Sequence, residues 1–202
     1  MSPGSPRFSG AVLCGGQSRR MGRDKALIPV AGTPMVVRVT EALWVAGARE
    51  VVAVGREPGA LASLGLVTLP DRRPGAGPAA GIVTALARAG GDEVVLVVGC
   101  DLVAPSPAAM GATLAVLALH PTAAVAVPVS GGRTQWHHAA WRPSAAPALE
   151  AALEGGTRAV GGVVAAAGLV VVGVDGIDPA ALADADTPGE LPPEADASRP
   201  SG

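Results

Sequence analysis

Tyrosine is missing from this 202-residue chain and phenylalanine occurs once; with three tryptophans the aromatics reach only 2%. Base stacking on an aromatic platform, the usual device for gripping single-stranded nucleic acid, has little to build on, so Val, Ala and Leu must fill the core. Neither sign of charge dominates. Fifteen Lys and Arg stand against 17 Asp and Glu, a formal net charge of −2, and the broad basic footprint of a duplex binder is missing too. No nucleic-acid partner is expected.

Cysteine is scarce: Cys14 and Cys100 are the two present, in no metal-binding spacing, and nothing at the start has the basic-then-apolar plan of a secretory leader. Reduced thiols in a cytoplasmic protein are expected. Long apolar runs are lacking as well. The longest apolar region, residues 159 to 174 (AVGGVVAAAGLVVVGV), is shorter than the ~18–20 residues of a spanning helix and is interrupted by glycine. It reads as a helix followed by a strand, and no membrane partner is expected.

What the chain does contain is alternation. Apolar runs recur at residues 11 to 14, 51 to 54, 66 to 69, 93 to 98, 123 to 129 and 169 to 174, continuous rather than alternating, as in strands covered on both faces. Helical stretches lie between them. Thr33 before Pro34 opens one that closes at Gly47, and Ser106 before Pro107 opens another, a cap residue followed by proline being a helix start. Met35, Val39, Ala42, Leu43 and Ala46 share one helical face. The fold class is therefore α/β, a three-layer α/β/α arrangement around a mostly parallel, Rossmann-like sheet with ligands at the carboxyl ends of its strands. One domain over residues 10–191 is expected. The segments 1–9 and 192–202, rich in Pro, Ser and Gly, read as disordered tails.

The stretch GAVLCGGQSRRMGRDKALIPVAGTP, residues 10 to 34, follows the first strand directly. Gly15 and Gly16 let backbone amides approach an anion, and Arg19, Arg20, Arg23 and Lys25 add charge and directed donors. Phosphate is the natural guest. A nucleoside-triphosphatase P-loop needs a Gly-Lys pair and none exists; the dinucleotide fingerprint needs Gly-x-Gly-x-x-Gly, whereas the glycines here stand at 15, 16 and 22. A solvated basic loop is the bland alternative.

LCGGQSRRMGRDKAL, residues 13 to 27, strongly resembles the signature LxGGxSxRMGxDKxL of the molybdenum cofactor guanylyltransferase family. Asp71 in LPDRR, Gly77-Pro78-Ala79-Ala80-Gly81-Ile82, Gly99-Cys100-Asp101 and Asp186-Thr187-Pro188 resemble further family blocks in the same order. Val103 stands where the family often has proline. The resemblance implies a nucleotidyltransferase fold and transfer of GMP from GTP to the phosphate of a molybdopterin cofactor, with magnesium. By resemblance Leu13, Cys14, Gly15, Gly16, Arg19, Lys25, Asp71, Gly77, Gly81 and Asp101 bind the nucleotide. Lys25 and Arg19 neutralise and grip the phosphates, and Asp101 holds the metal, with Asp184 and Asp186 as candidate second contacts. Asp71 matches the guanine-reading region, where a carboxylate can accept from both the ring N–H and the amino group of guanine.

Segment 131–143, GGRTQWHHAAWRP, matches the family's acceptor half loosely. Arg133, Gln135, Trp136 and Arg158 are candidates for the pterin side, with Trp136 equally suited to packing. His137 and His138 lack a matching third ligand for a metal. The implied partners are GTP, the molybdopterin cofactor, and recipient molybdoenzymes or their chaperones; a monomer or weak homo-oligomer is expected. Cytidylyl transfer, another phosphorylated acceptor, or a non-catalytic nucleotide-binding relative are the readings left beside it.

Overall fold

The computed structural model describes residues 7–15, 24–89 and 94–191. Ten strands are present among them: β1 Phe8–Leu13, β2 Pro29–Val30, β3 Thr33–Pro34, β4 Val51–Val54, β5 Val67–Leu69, β6 Val94–Gly99, β7 Val125–Ser130, β8 Arg133–Thr134, β9 His138–Trp141 and β10 Val171–Val174. Five helices accompany them: α1 Met35–Val45, α2 Pro78–Arg88, α3 Pro107–Leu119, α4 Ala146–Glu154 and α5 Val160–Ala166. The main sheet runs β10-β7-β9-β6-β1-β4-β5, with β8 paired to β7; β2 and β3 form a separate hairpin. Strands β6, β1, β4 and β5 are mutually parallel, so their carboxyl ends share one edge of the sheet.

The apolar strands β1, β4, β6 and β7 feed two cores, whereas β5 and β10, expected from their apolar runs to be covered on both faces, lie at the sheet edges and leave Val67 and Val171 exposed. In β6, Leu96 and Val98 join the cluster under α1 and α3, while Val95 and Val97 join the one under α2, α4 and α5. Successive side chains point to opposite faces, so VVLVV is buried on both sides, and the three-layer α/β/α class expected from the sequence is the observed one. On α1 the buried stripe is Met35, Val36, Val39, Thr40, Ala42 and Leu43. Removing a side chain such as Leu43, fully buried, would cost about 2–5 kcal/mol.

Three local expectations change. The first strand begins at Phe8, which is 3% exposed, so Phe8 and Ser9 belong to the sheet and not to a tail of residues 1–9; residues 1–6 and 192–202 lie outside the described part. Thr33 is not a helix cap: it pairs with Val30 in the β2–β3 hairpin, and α1 starts from Pro34 without a side-chain cap. Ser106, by contrast, accepts from the Ala109 amide at 3.3 Å and caps α3. The third change is β9, absent from the sequence reading. It lies between β6 and β7, antiparallel to both, with all four residues buried. Residues 159 to 174 do form a helix, α5, and a strand, β10. Among the described residues no helix is long and apolar enough to cross a membrane.

Candidate active site

The parallel strands deliver their ends to one cleft of about 570 Å³, lined by Leu13 at the end of β1 with Cys14 and Gly15 after it, Arg56 after β4, Asp71 after β5, and Gly99, Cys100 and Asp101 at the end of β6. Lys25, Gly77, Gly81 and His137 also line it. Of the residues expected to bind nucleotide, Leu13, Cys14, Gly15, Lys25, Asp71, Gly77, Gly81 and Asp101 all line this cleft. Gly16, Arg19, Arg20 and Arg23 lie outside the described residues.

Lys25 opens a short 3₁₀ turn, Lys25–Leu27, capped by Asp24, whose carboxylate accepts from the Ala26 amide at 3.1 Å. The turn is anchored by Ala26 and Ile28, both buried, which leaves the Lys25 side chain to reach across the β1 end. Its Nζ stands 3.3 Å from Oδ2 of Asp101 and 2.5 Å from Oδ1 of Asp186. Burial opposes its charge, but the Asp186 hydrogen bond and the fields of Asp101 and Asp186 outweigh that and hold its pKa above the ordinary lysine value.

Asp186 arrives there through backbone pairing. The Ala185 amide donates to the Asp101 carbonyl at 3.1 Å and the Val103 amide to the Ala183 carbonyl at 3.0 Å, so residues 183–185 run antiparallel beside 101–103. Glu190 Oε2 accepts from the Asp186 and Thr187 amides at 2.6 and 2.8 Å, and the Thr187 and Asp186 amides draw its pKa down. Asp184, exposed on this run, has its pKa raised by desolvation and then by Asp101. Among the described residues no three His, Cys, Asp or Glu side chains converge on one metal position. A divalent ion here would rest on one or two carboxylates and take its remaining oxygens from a bound phosphate chain, the usual habit of magnesium.

On the β5 side, Asp71 sits among glycines. A Cβ at Gly15 would lie 3.2 Å from Asp71 Oδ2, and one at Gly81 would lie 3.5 Å from Oδ1 and 3.1 Å from Leu13. Asp71 Oδ1 is buried and has no hydrogen-bond partner among the described residues, and desolvation raises its pKa. An acceptor left unsatisfied in this way costs stability; a ligand N–H would satisfy it. Sequence reading overlooked Gly55. Its φ is +90° and a Cβ there would lie 2.6 Å from Gly15 Cα, so it packs the β4 end against Gly15. The signal was available, since a Gly directly after a parallel strand stands at the ligand edge.

The acceptor-half candidates separate. Arg158 donates to the Gly75 carbonyl at 3.3 Å and packs beside Gly77, and Arg73 pairs with Glu154 at 3.2 Å. The α4–α5 connection thus braces the 71–78 loop. Trp136 lies 6.2 Å from Trp141 at 35° with its Nε1 close to Gly161, a packing position. Arg133 is exposed on β8. His137 lines the cleft, while His138 is buried on the α3 side, beside Met110 and Thr113.

Cys14 and Cys100, the residues after the paired Leu13 and Gly99, are both buried and free. The hydrogen bond with Cys14, then burial, pushes the Cys100 thiol well up, so Cys100 is not poised as a thiolate nucleophile.

The described geometry resembles known proteins. Residues 10–167 match the MobA-like NTP transferase domain. A protein of Rhodobacter capsulatus named molybdenum cofactor guanylyltransferase is 38% identical over 168 residues, 79% of this chain and 83% of that one. One of Cereibacter sphaeroides with the same name is 32% identical over 170 residues, 83% of this chain and 86% of its own. Among solved structures, molybdopterin-guanine dinucleotide biosynthesis protein A of Archaeoglobus fulgidus superposes with a TM-score of 0.73 at 23% identity, over 91% of this chain and 95% of that one. The 2-C-methyl-D-erythritol 4-phosphate cytidylyltransferase of Thermus thermophilus reaches 0.67 at 22%, over 92% and 95%. Those two likenesses speak for the fold alone. The domain match over most of the chain, with identities above 30% along most of two curated relatives, shows that the chain belongs to the MobA-like NTP transferase family, a family of nucleotidyltransferases.

Proposed function

We propose that the protein transfers GMP from GTP to the phosphate of a molybdopterin cofactor, releasing pyrophosphate. The names of its relatives support the reaction, and one observation carries the base: Asp71 presents a buried, unpartnered carboxylate oxygen to the same cleft that Lys25 and Asp101 line. Guanine offers two adjacent donors to such a group; cytosine and adenine offer one each on the corresponding edge. The fold does not choose the base, since a cytidylyltransferase shares it.

An acceptor phosphate oxygen forms a bond to the α-phosphorus as the bond to the β,γ-pyrophosphate breaks. A phosphate monoester is already an anion near neutral pH, so no general base is required, and positioning with charge stabilisation does most of the work. Lys25 neutralises charge developing on the α-phosphate and the leaving group. Gly15 lets the loop backbone come close to the phosphates, and the family resemblance assigns Gly16 and Arg19 to the same cradle. Asp101, joined by Asp186, would hold a magnesium ion, which supplies further charge neutralisation when bound.

The test is incubation with magnesium, molybdopterin and each labelled nucleoside triphosphate in turn, with the product identified by mass. A guanine dinucleotide product with pyrophosphate release is expected. Equal or better use of CTP would overturn the assignment of the base, and no transfer from any triphosphate would overturn the activity.

A further inference from the structure

Arg56 has no part in the signature around Lys25, yet the structure ties the two together. It follows Gly55 at the end of β4 and lines the cleft. Its Nη2 donates to Oδ1 of Asp24 at 2.5 Å, and the same oxygen accepts from the Ala26 amide at 3.1 Å. Both ends of the pair are shielded, the side chains being 23% and 29% exposed. Burial disfavours the guanidinium charge, but the Asp24 bond and charge outweigh it. One carboxylate thus joins a rigid strand end to the first turn after the phosphate loop, immediately before Lys25.

We propose that Arg56 is a positioning residue for nucleotide transfer: by pinning Asp24 to the β4 end it sets the Lys25–Leu27 turn so that the Lys25 ammonium is delivered between Asp101 and Asp186. The geometry requires some such anchor. Lys25 has a flexible four-carbon stem, and among the described residues the backbone bonds of its own turn run from Leu27 to Asp24 and from Ile28 to Lys25, both 3.1 Å. Arg56 is itself held by its amide, which donates to the Leu69 carbonyl at 3.3 Å, and by the closely packed Gly55–Gly15 backbones beneath it. The chain of constraint runs from the sheet through Arg56 and Asp24 to Lys25. Direct contact between the guanidinium and a bound phosphate is the rival role, since Arg56 Nε has no acceptor among the described residues.

The proposal rests on the transfer reading for its kinetic arm only. Single-turnover GMP transfer and GTP titration are measured for wild type, Arg56→Gln, Arg56→Lys, Asp24→Asn, Lys25→Ala and the double variant Arg56→Gln/Lys25→Ala, with melting temperatures as folding control. Arg56→Gln and Asp24→Asn are each expected to slow transfer by about 10- to 100-fold, as loss of an orienting partner does, with GTP affinity close to wild type. Arg56→Lys recovers part of the rate. The double variant is expected to be no slower than Lys25→Ala, because Arg56 acts through Lys25. A double variant slowed by the product of both factors would make Arg56 an independent substrate contact and overturn the proposal.

A second arm needs no turnover: acetylation of Lys25 by an activated ester in the nucleotide-free protein, followed by peptide mass spectrometry. Release of the ammonium from its two carboxylates is expected to speed labelling several-fold in Arg56→Gln and in Asp24→Asn. Unchanged labelling in both would overturn the proposal even if transfer slows. Should the wild type transfer no nucleotide, the functional reading fails and the labelling arm decides this one by itself. If Arg56→Gln does not fold, Asp24→Asn, which keeps a cap acceptor, answers both arms.

Discussion

Lys25 and Asp101, 76 positions apart in the chain, meet at 3.3 Å across the carboxyl end of β1. The ammonium is held by the carboxylates of Asp101 and Asp186 on the side where phosphates are expected to enter, so its charge is in place before substrate arrives. Lys25→Ala is expected to lower single-turnover GMP transfer at saturating GTP by ~10²–10³, the cost of removing one preorganised electrostatic contact, while GTP affinity changes far less. Interactions that strengthen in the transition state show in kcat. A variant that binds GTP poorly yet transfers at the parental rate once saturated would make Lys25 a gripping residue only.

Asp101→Asn keeps side-chain volume and removes a charge at a partly exposed position. Turnover should be abolished with the melting temperature within a few degrees of wild type. Calorimetric or Mn²⁺ paramagnetic titration should show weakened divalent-ion binding in the presence of GTP. Parental turnover in this variant would remove Asp101 from the mechanism.

Asp71→Asn tests base reading and carries a pH signature. Desolvation raises the folded-state pKa of Asp71 above the ordinary 3.8, so the folded chain retains this proton to higher pH than the unfolded chain. The penalty for ionising it in the fold is absent below the ordinary value and complete once pH exceeds the raised one. Relative to wild type, the Asn variant should therefore gain thermal stability at pH 7 and gain none at pH 3. Added GTP should raise the wild-type melting temperature more than that of the variant, and preference for GTP over CTP should shrink. A variant that melts lower at pH 7 than at pH 3 relative to wild type would contradict the assignment.

His138 lies on β9, buried, with Nδ1 lacking a partner among the described residues. Desolvation, and then the neighbouring His137, lowers its pKa from 6.5 to about 3. Between those values the unfolded chain binds a proton that the folded chain refuses, so stability is present above the unfolded value and is lost as pH falls, at about 1.4 kcal/mol per pH unit. Chemical denaturation of His138→Leu should show a pH slope shallower by one proton between pH 6 and pH 4. An unchanged slope would mean that the imidazole is hydrated or paired in solution.

Gly55→Ala puts a Cβ at 2.6 Å from Gly15 Cα on a backbone with φ +90°. Strain of this kind costs about 1–3 kcal/mol, and relief requires the β4 end to move away from Gly15. Lower stability by denaturant midpoint and weaker GTP binding should appear together. Full affinity with lowered stability would separate the packing from the site.

Local physics made the architecture legible. Apolar runs of strand length buried on both faces, a Ser106–Pro107 cap and the stripe on α1 are readable because each depends on neighbours a few positions away. The same holds for the place of Gly15 and Lys25 in the cleft, since both stand in one contiguous motif. Strand β9 was not legible: HAAW is short and poor in β-branched residues, and it is a strand because β6 and β7 hold it on both sides. Thr33 likewise pairs in a hairpin where its sequence reads as a cap. The meeting of Lys25 with Asp186, 161 positions away, depends on residues 183–185 pairing beside Asp101, and the Arg56–Asp24 anchor depends on β4 lying next to β1. Sequence composition specifies which chemistry is available, but separations of this size are closed only by tertiary packing, because nothing in the local pattern says which distant side chains will share a cleft.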